Sequence, residues 1–178
     1  GCVCGRRDIM QLLDFEAAEF HGFQKIPHQG TFNANPMSAG TGVEMLGQVA
    51  ETDISEQANR QGQKLISTCN QAFADAMVPW AAYGNGSSVY IFTNPAGIDI
   101  DPLNFKAEDK PVPVMEKAGS HSAAGLFRLA MLFNGVDFNS KPGAIVSAVH
   151  TDEDIAVTGD AVSASLSMLR EEGYFLNE

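Results

Sequence analysis

No run of apolar residues in this chain reaches the length needed to cross a bilayer, so a membrane-spanning helix is not expected. No signal-peptide pattern opens it. Cysteine is scarce. Cys2, Cys4 and Cys69 form neither a paired framework nor a zinc spacing, which leaves no disulfide scaffold and favours a reducing, cytoplasmic setting. Cys2 and Cys4 alternate with Gly1, Val3 and Gly5, and a buried strand is the default reading, with a redox Cys-x-Cys as the alternative. Positive charge is the minority sign: 11 Lys and Arg stand against 22 Asp and Glu, a formal net charge of −11. The resulting pI of about 4.6 disfavours nucleic acid or an anionic membrane as main partner, because either needs a basic face. His21, His28, His121 and His150 lack metal-ligand spacing, and no repeat or low-complexity tract is present.

What is there describes a globular protein. Hydrophobic residues make up 44% and charged residues 19% of the 178 positions, enough for one domain or one plus an appendage. The first residue is Gly1 rather than Met, which reads as a processed, trimmed or partial sequence.

Residues 1–5 read as the end of a strand, and Arg6 to Phe20 as a helical stretch with Met10, Leu12, Leu13 and Ala17 on its apolar side. A helix is expected from Pro36 through Val49. Met37, Val43, Met45, Leu46 and Val49 are its candidate core face, and Gly40 and Gly42 its point of close packing. A long amphipathic helix starts near Asp53, with Glu56 at capping-box spacing, and Pro79 ends it. Gly84-Asn85-Gly86 signals a turn before a strand over Ser88 to Thr93. Residues 95–119 show little periodicity and read as a long surface loop. A helix runs from near Ser120 to Phe133, with Leu126, Phe127, Leu129, Ala130, Leu132 and Phe133 as its apolar side, and Asn134-Gly135 stops it. Short strands are expected at Val136 to Phe138 and, after Pro142-Gly143, at Ala144 to Val149. Thr151, with Asp154 three residues on, caps a last helix that buries Ile155, Val162, Leu166 and Leu169. Strands interleaved with helices imply an α/β or α+β class, and the pattern alone does not choose a topology.

The stretch richest in chemistry is His28-Gln29-Gly30-Thr31-Phe32-Asn33-Ala34-Asn35-Pro36. It has no apolar periodicity, and it delivers a Gly, a hydroxyl and two amides onto a helix start where Asn35 can cap and Pro36 can open the first turn. Such a loop is either an ordinary cap or a cradle of N–H and O–H donors suited to an anion.

That stretch resembles the His-x-Gly-Thr-Phe-x-x-Asn-Pro segment of the class III, pyridoxal-phosphate-dependent aminotransferases, in the branch that includes glutamate-1-semialdehyde aminomutase. Gly5-Arg6-Arg7-Asp8-Ile9-Met10 is similar to the family's Gly-Gly-Arg-x-x-Ile-Met segment, and Ser147 to Ile155 to its C-terminal His-Thr-Asp-Glu-Asp-Ile. The three segments keep the family's order across nearly the whole chain. The resemblance implies an α/β fold-type I transferase. Residues 1–50 would end the large domain, 51–78 would form a connecting long helix, and 79–178 would form the small C-terminal domain. It also implies pyridoxal 5'-phosphate as cofactor, a small amino acid or keto substrate, and a homodimer whose active sites are shared across the interface. Gly30 and Thr31 would contact the phosphate of the neighbouring subunit's cofactor. Gly30 suits a close N–H approach, Thr31 adds a hydroxyl donor, and Phe32 would pack behind them.

Such an enzyme also needs a lysine for the Schiff base and an acidic partner for the pyridine nitrogen. The resemblance places both upstream of Gly1, so no catalytic residue is expected in this chain and the chain alone should be inactive. Lys25, Lys64, Lys106, Lys110, Lys117 and Lys141 match no motif of the family and read as surface lysines. Two alternatives stay open: a class III decarboxylase or racemase on the same fold, and a non-catalytic interaction domain. A hydrolase built on Ser147, His150 and Asp152 has no Gly-x-Ser-x-Gly elbow to support it. Arg128, in an otherwise apolar helix, reads as a snorkelling side chain, and a substrate-carboxylate role has no motif behind it.

Overall fold

The computed structural model describes residues 3–118, 122–139 and 143–175. The parts of the expectations that rest on Gly1, Cys2, Ser120, His121, Lys141 and Pro142 lie outside those residues. The chain divides into two compact units, Gly1–Thr52 and Asp53–Glu178.

In the first unit the helical stretch forms in pieces: α1 (Arg7–Met10), a 3-10 turn (Gln11–Leu13) and α2 (Phe15–His21). Asp14 makes the break. Its backbone is extended, and its carboxylate accepts from the N–H groups of Glu16 and Ala17, so it caps a new helix instead of continuing the old one. The expected strand does not form over residues 3–5, which are irregular and exposed, and Cys4 is exposed rather than buried. The physical reason is pairing: among the described residues this unit holds no other strand.

The helix from Pro36 forms as α3 (Pro36–Glu51). Asn35 caps it as expected, its Oδ1 accepting from Met37 N–H at 3.0 Å and Ser38 N–H at 3.2 Å. The expected burial of its apolar face does not occur. Met37, Val43, Met45, Leu46 and Val49 are all exposed, and a Cβ added at Gly40 or Gly42 would meet nothing within 4 Å. None of the described residues of this unit is buried, so there is no core for that face to enter.

The second unit carries the core. It opens with α4 (Ile54–Asp75), which buries Leu65, Cys69, Ala72 and Phe73 and ends ahead of Pro79. The expected capping box at Asp53 is not made. The Asp53 carboxylate instead accepts from Gln57 and Arg60 one and two turns on. Two antiparallel strands follow, β1 (Ala81–Tyr83) and β2 (Ser88–Phe92), with Ala82 opposite Ile91 and the Gly84-Asn85-Gly86 turn between them. The third strand, β3 (Gly143–Ile145), pairs antiparallel with β2 and completes a sheet of order β1-β2-β3. It is shorter than the expected Ala144 to Val149. Residues 136–138 are not a strand, although Phe138 is buried edge-on against Phe127. The expected loop over 95–119 is partly helical, with 3-10 turns at Pro102–Asn104 and Ala107–Asp109 and a short α5 (Val112–Ala118).

Helix α6 (Ser122–Phe133) buries only part of the expected face, Phe127 and Ala130, and adds Ala123, Ala124 and Met131 to it. Ala123, Ala124, Phe127, Ala130 and Met131 are buried, while Leu126, Leu129, Leu132 and Phe133 are exposed. The helix is apolar nearly all round, so periodicity cannot pick the side. It stops at Asn134-Gly135, where Gly135 adopts φ +85°. Helix α7 (Asp152–Glu171) carries the full capping box of Thr151 and Asp154 and buries Ile155, Val162, Leu166 and Leu169 as expected.

The core of this unit centres on Trp80, whose ring meets Phe73, Phe127 and Phe175 at 6.0, 5.4 and 5.5 Å, each in an edge-on arrangement. Helix α4 lies against both β1 and β2, and α7 packs on α4 and α6. The contact of α4 with α7 is close at Gly159, where a Cβ would run into the Thr68 methyl group. Helices and sheet share one hydrophobic core, as an α/β class requires. Among the described residues no helix is long and apolar enough to cross a membrane.

Candidate functional site

Asn35 and Pro36 fix where the loop ends, and the residues before them form a tight turn. Gly30 C=O accepts from Asn33 N–H at 3.0 Å, and Phe32 C=O from Asn35 N–H at 3.1 Å. Ala34 takes a positive φ of 55° to join the two. A Cβ on residue 30 would lie 2.6 Å from Asn33 Oδ1, so a side chain there would displace the Asn33 amide. Gly30 and Thr31 are exposed, and so is Phe32, which therefore does not pack behind them within this unit. The carbonyls of the turn are used, but the N–H groups of Gly30, Thr31 and Phe32 and the Thr31 hydroxyl have no acceptor among the described residues. No acidic side chain lies between His28 and Pro36. The turn is thus a cluster of uncharged donors at a capped helix start, able to receive an anionic oxygen. His28 is exposed beside it.

The other candidate residues separate into local structural roles. Ser147 Oγ and His150 Nδ1 lie 3.0 Å apart, and Nδ1 also accepts from Ser147 N–H at 3.1 Å, so the pair closes a turn. Asp152 does not join them. It binds Lys64 Nζ at 2.6 Å and Gln61 Nε2 at 2.9 Å, and those hydrogen bonds, Lys64 first, hold its carboxyl below the usual carboxylate range. No triad is assembled. Arg128 ties down the chain after α6, its Nε donating to Phe138 C=O at 2.6 Å and its Nη2 to Asp137 at 2.9 Å, a local structural role. Burial pushes the Cys69 thiol up to about 12, so it is inert as a nucleophile. Among the described residues no cluster of His, Cys, Asp and Glu could hold a metal ion.

Sequence reading missed one concave feature, a cleft beside β1 walled by Tyr83, Tyr90 and Phe105. The available signal was Asp101-Pro102, a cap followed by a helix-opening proline in a segment read as loop, and Asp101 does accept from Leu103 N–H at 2.9 Å.

Comparison with known proteins places the fold. A transaminase with pyridoxal phosphate bound superimposes with a TM-score of 0.69 at 24% identity, covering 96% of this chain and 35% of that one. An omega-transaminase from Sphaerobacter thermophilus gives 0.67 at 20% identity over 93% of this chain and 34% of that one. A beta-phenylalanine aminotransferase from Variovorax paradoxus gives 0.61 at 21% identity over 96% and 35%. The chain therefore has the architecture of a fold-type I transferase, over about a third of the length of those enzymes. In sequence it is 31% identical over 87 residues to glutamate-1-semialdehyde 2,1-aminomutase of Tropheryma whipplei, in two strains, a match of 49% of this chain and 17% of the relative. That similarity bears out the resemblance to the class III aminotransferases and to their aminomutase branch. No family model matches the chain.

Proposed function

We propose that this chain is the C-terminal part of a pyridoxal-phosphate-dependent aminotransferase or aminomutase, an enzyme that moves an amino group between an amino acid and a carbonyl compound. The observation that carries the reading is the Gly30–Thr31 turn, whose exposed donors are unused within a chain of transaminase fold.

Pyridoxal 5'-phosphate supplies the electron sink for bond changes at the substrate's Cα. The residues of this chain would hold the cofactor's phosphate. Gly30 lets its N–H approach closely because no side chain intervenes, and Thr31 donates its hydroxyl to a second oxygen. The absence of acidic side chains in the turn supports this use in a protein whose net charge is −11. In this reading the phosphate belongs to the cofactor of the other subunit of a cytoplasmic homodimer, so each active site is built from two chains. Residues 1–50 close the large domain, 51–78 connect, and 79–178 form the small domain. The Schiff-base lysine lies upstream of Gly1, and the 178 residues alone turn nothing over.

The test is to sequence the coding DNA upstream of Gly1 and to assay both the longer protein and this chain. A lysine shortly before a Gly-rich run, with transamination by the longer protein and none by the 178-residue chain, is the expected result. Another residue at that position, a start codon at Gly1, or turnover by this chain alone overturns the reading.

A further inference from the structure

The cleft beside β1 lies wholly within the second unit and shares no residue with the Thr31 turn. It follows the outer edge of β1, between α4 and the 3-10 turns that contain Leu103 and Glu108, and has a volume of about 680 Å³. That is the size of a small-molecule site.

Its wall is aromatic and fixed. The Tyr83 ring lies 5.6 Å from Tyr90 and 6.0 Å from Phe105. Phe105 is itself stacked on the buried Phe92 at 5.4 Å, with 19° between the planes. Tyr90 stays 49% exposed although it stands in the middle of a strand, so a large ring face is left open. Two of the polar side chains that line the cleft are already hydrogen-bonded. Asn70 bonds the backbone of Ala82, and Gln71 bonds Asp75. The rim differs: Lys106 and Glu108, two residues apart and of opposite charge, are exposed, and neither side chain forms an ion pair among the described residues. Lys110 Nζ stands 5.8 Å over the Phe105 ring, so the open part of the wall is Tyr83 and Tyr90, and that wall beside the cation and anion of the rim matches a ligand that carries all three complements.

We propose that this cleft binds a small zwitterion with a flat apolar ring, of the class of the aromatic α-amino acids, with the ring against Tyr83 and Tyr90, the carboxylate at Lys106 and the ammonium at Glu108. The ring supplies most of the affinity, because the rim charges are solvated and screened. The site stands independently of the proposed cofactor contact at Thr31.

The experiment is an amide-resolved NMR titration of the whole chain with L-phenylalanine. Saturable shifts at Tyr83, Gly84, Tyr90 and Phe105, at a Kd on the order of 1 mM or below, are expected. L-alanine, which lacks the ring, should leave those amides unmoved. Lys106→Ala should weaken L-phenylalanine about threefold, the scale of one exposed ion pair, and leave phenethylamine, which has no carboxylate, unchanged. Glu108→Gln should weaken both. Both replaced side chains are exposed, and an unchanged spectrum for the rest of the chain checks the fold. Shifts that do not saturate, shifts located elsewhere, an equal response to L-alanine, or a Lys106→Ala effect shared by phenethylamine overturns the proposal.

Discussion

The buried side chain of Asn70 pairs with the backbone of Ala82 as a neighbouring strand would. Its Nδ2 donates to Ala82 C=O at 3.0 Å, and its Oδ1 accepts from Ala82 N–H at 2.6 Å. Strand β1 is at the end of the sheet, so among the described residues no strand satisfies it on that side, and one amide on α4 takes the role. Replacing Asn70 by Leu would leave a buried N–H and a buried C=O unsatisfied. Each such group costs about 1–3 kcal/mol, so Asn70→Leu should lower the unfolding free energy by about 2–6 kcal/mol. Urea unfolding followed by Trp80 emission reads this directly, since Trp80 is buried in the same core. An unchanged midpoint would mean that the pair contributes nothing to the fold.

A second prediction concerns Gly159 and Thr68. The two helices approach so closely that a Cβ on residue 159 would overlap the Thr68 methyl. Gly159→Ala should therefore destabilise by about 1–3 kcal/mol, the usual cost of overpacking, although alanine is the better helix former. Thr68→Ser removes the offending methyl. The double variant should recover most of the loss, whereas two independent effects would add. Thermal unfolding of the four proteins closes the cycle.

These two contacts also show where the sequence was readable. The starts of α3 and α7 were legible because caps are local: Asn35-Pro36 and Thr151 with Asp154 lie within four residues of what they satisfy. Strand β1 was not legible, because Ala81–Tyr83 is too short to show alternation and is held by Asn70 from another element. The reverse error occurred at residues 3–5. A short apolar run says that a strand is possible, but not that a partner is present. In α6 the expected Phe127 and Ala130 face inward, but Ala123 and Met131 join them in place of Leu126, Leu129 and Leu132, which period alone could not decide. The cleft was hidden because 3-10 turns of three residues leave no periodic trace in the Pro- and Asp-rich stretch that forms its rim. At the Thr31 turn, spacing showed donors on a helix start, while the choice of a phosphate as their ligand came only with the family resemblance.

The pair of Asp152 with Lys64 gives a pH prediction. Hydrogen bonds from Lys64 and then Gln61 lower the Asp152 pKa in the folded chain. A carboxyl whose folded pKa is depressed contributes stability above its unfolded value, about 3.9, and loses that contribution as the pH falls through the folded value. The carboxylate is exposed, so the effect on global stability is small. The titration itself is the sharper readout. In a carboxyl-carbon NMR titration Asp152 should have a midpoint below the ordinary one, and Lys64→Met should move it upward. A midpoint that ignores Lys64 would mean that the ion pair does not persist in solution.

The proposed phosphate contact makes the last prediction. The Thr31 side chain is exposed and makes no hydrogen bond among the described residues, so Thr31→Val removes one donor and leaves the fold alone. In the longer, cofactor-binding protein of the proposed reading, one hydrogen bond to a charged oxygen is worth about 1.5–3 kcal/mol, which is about a 10- to 150-fold loss in affinity for pyridoxal phosphate. Thr31→Ser keeps the hydroxyl and should bind close to wild type. Because the contact is to the phosphate, affinity for pyridoxal, which has none, should be the same in all three proteins. Absorbance titrations with the two ligands separate the outcomes. A loss with Thr31→Val for both ligands would point to a disturbed loop, and no loss for either would remove Thr31 from the site.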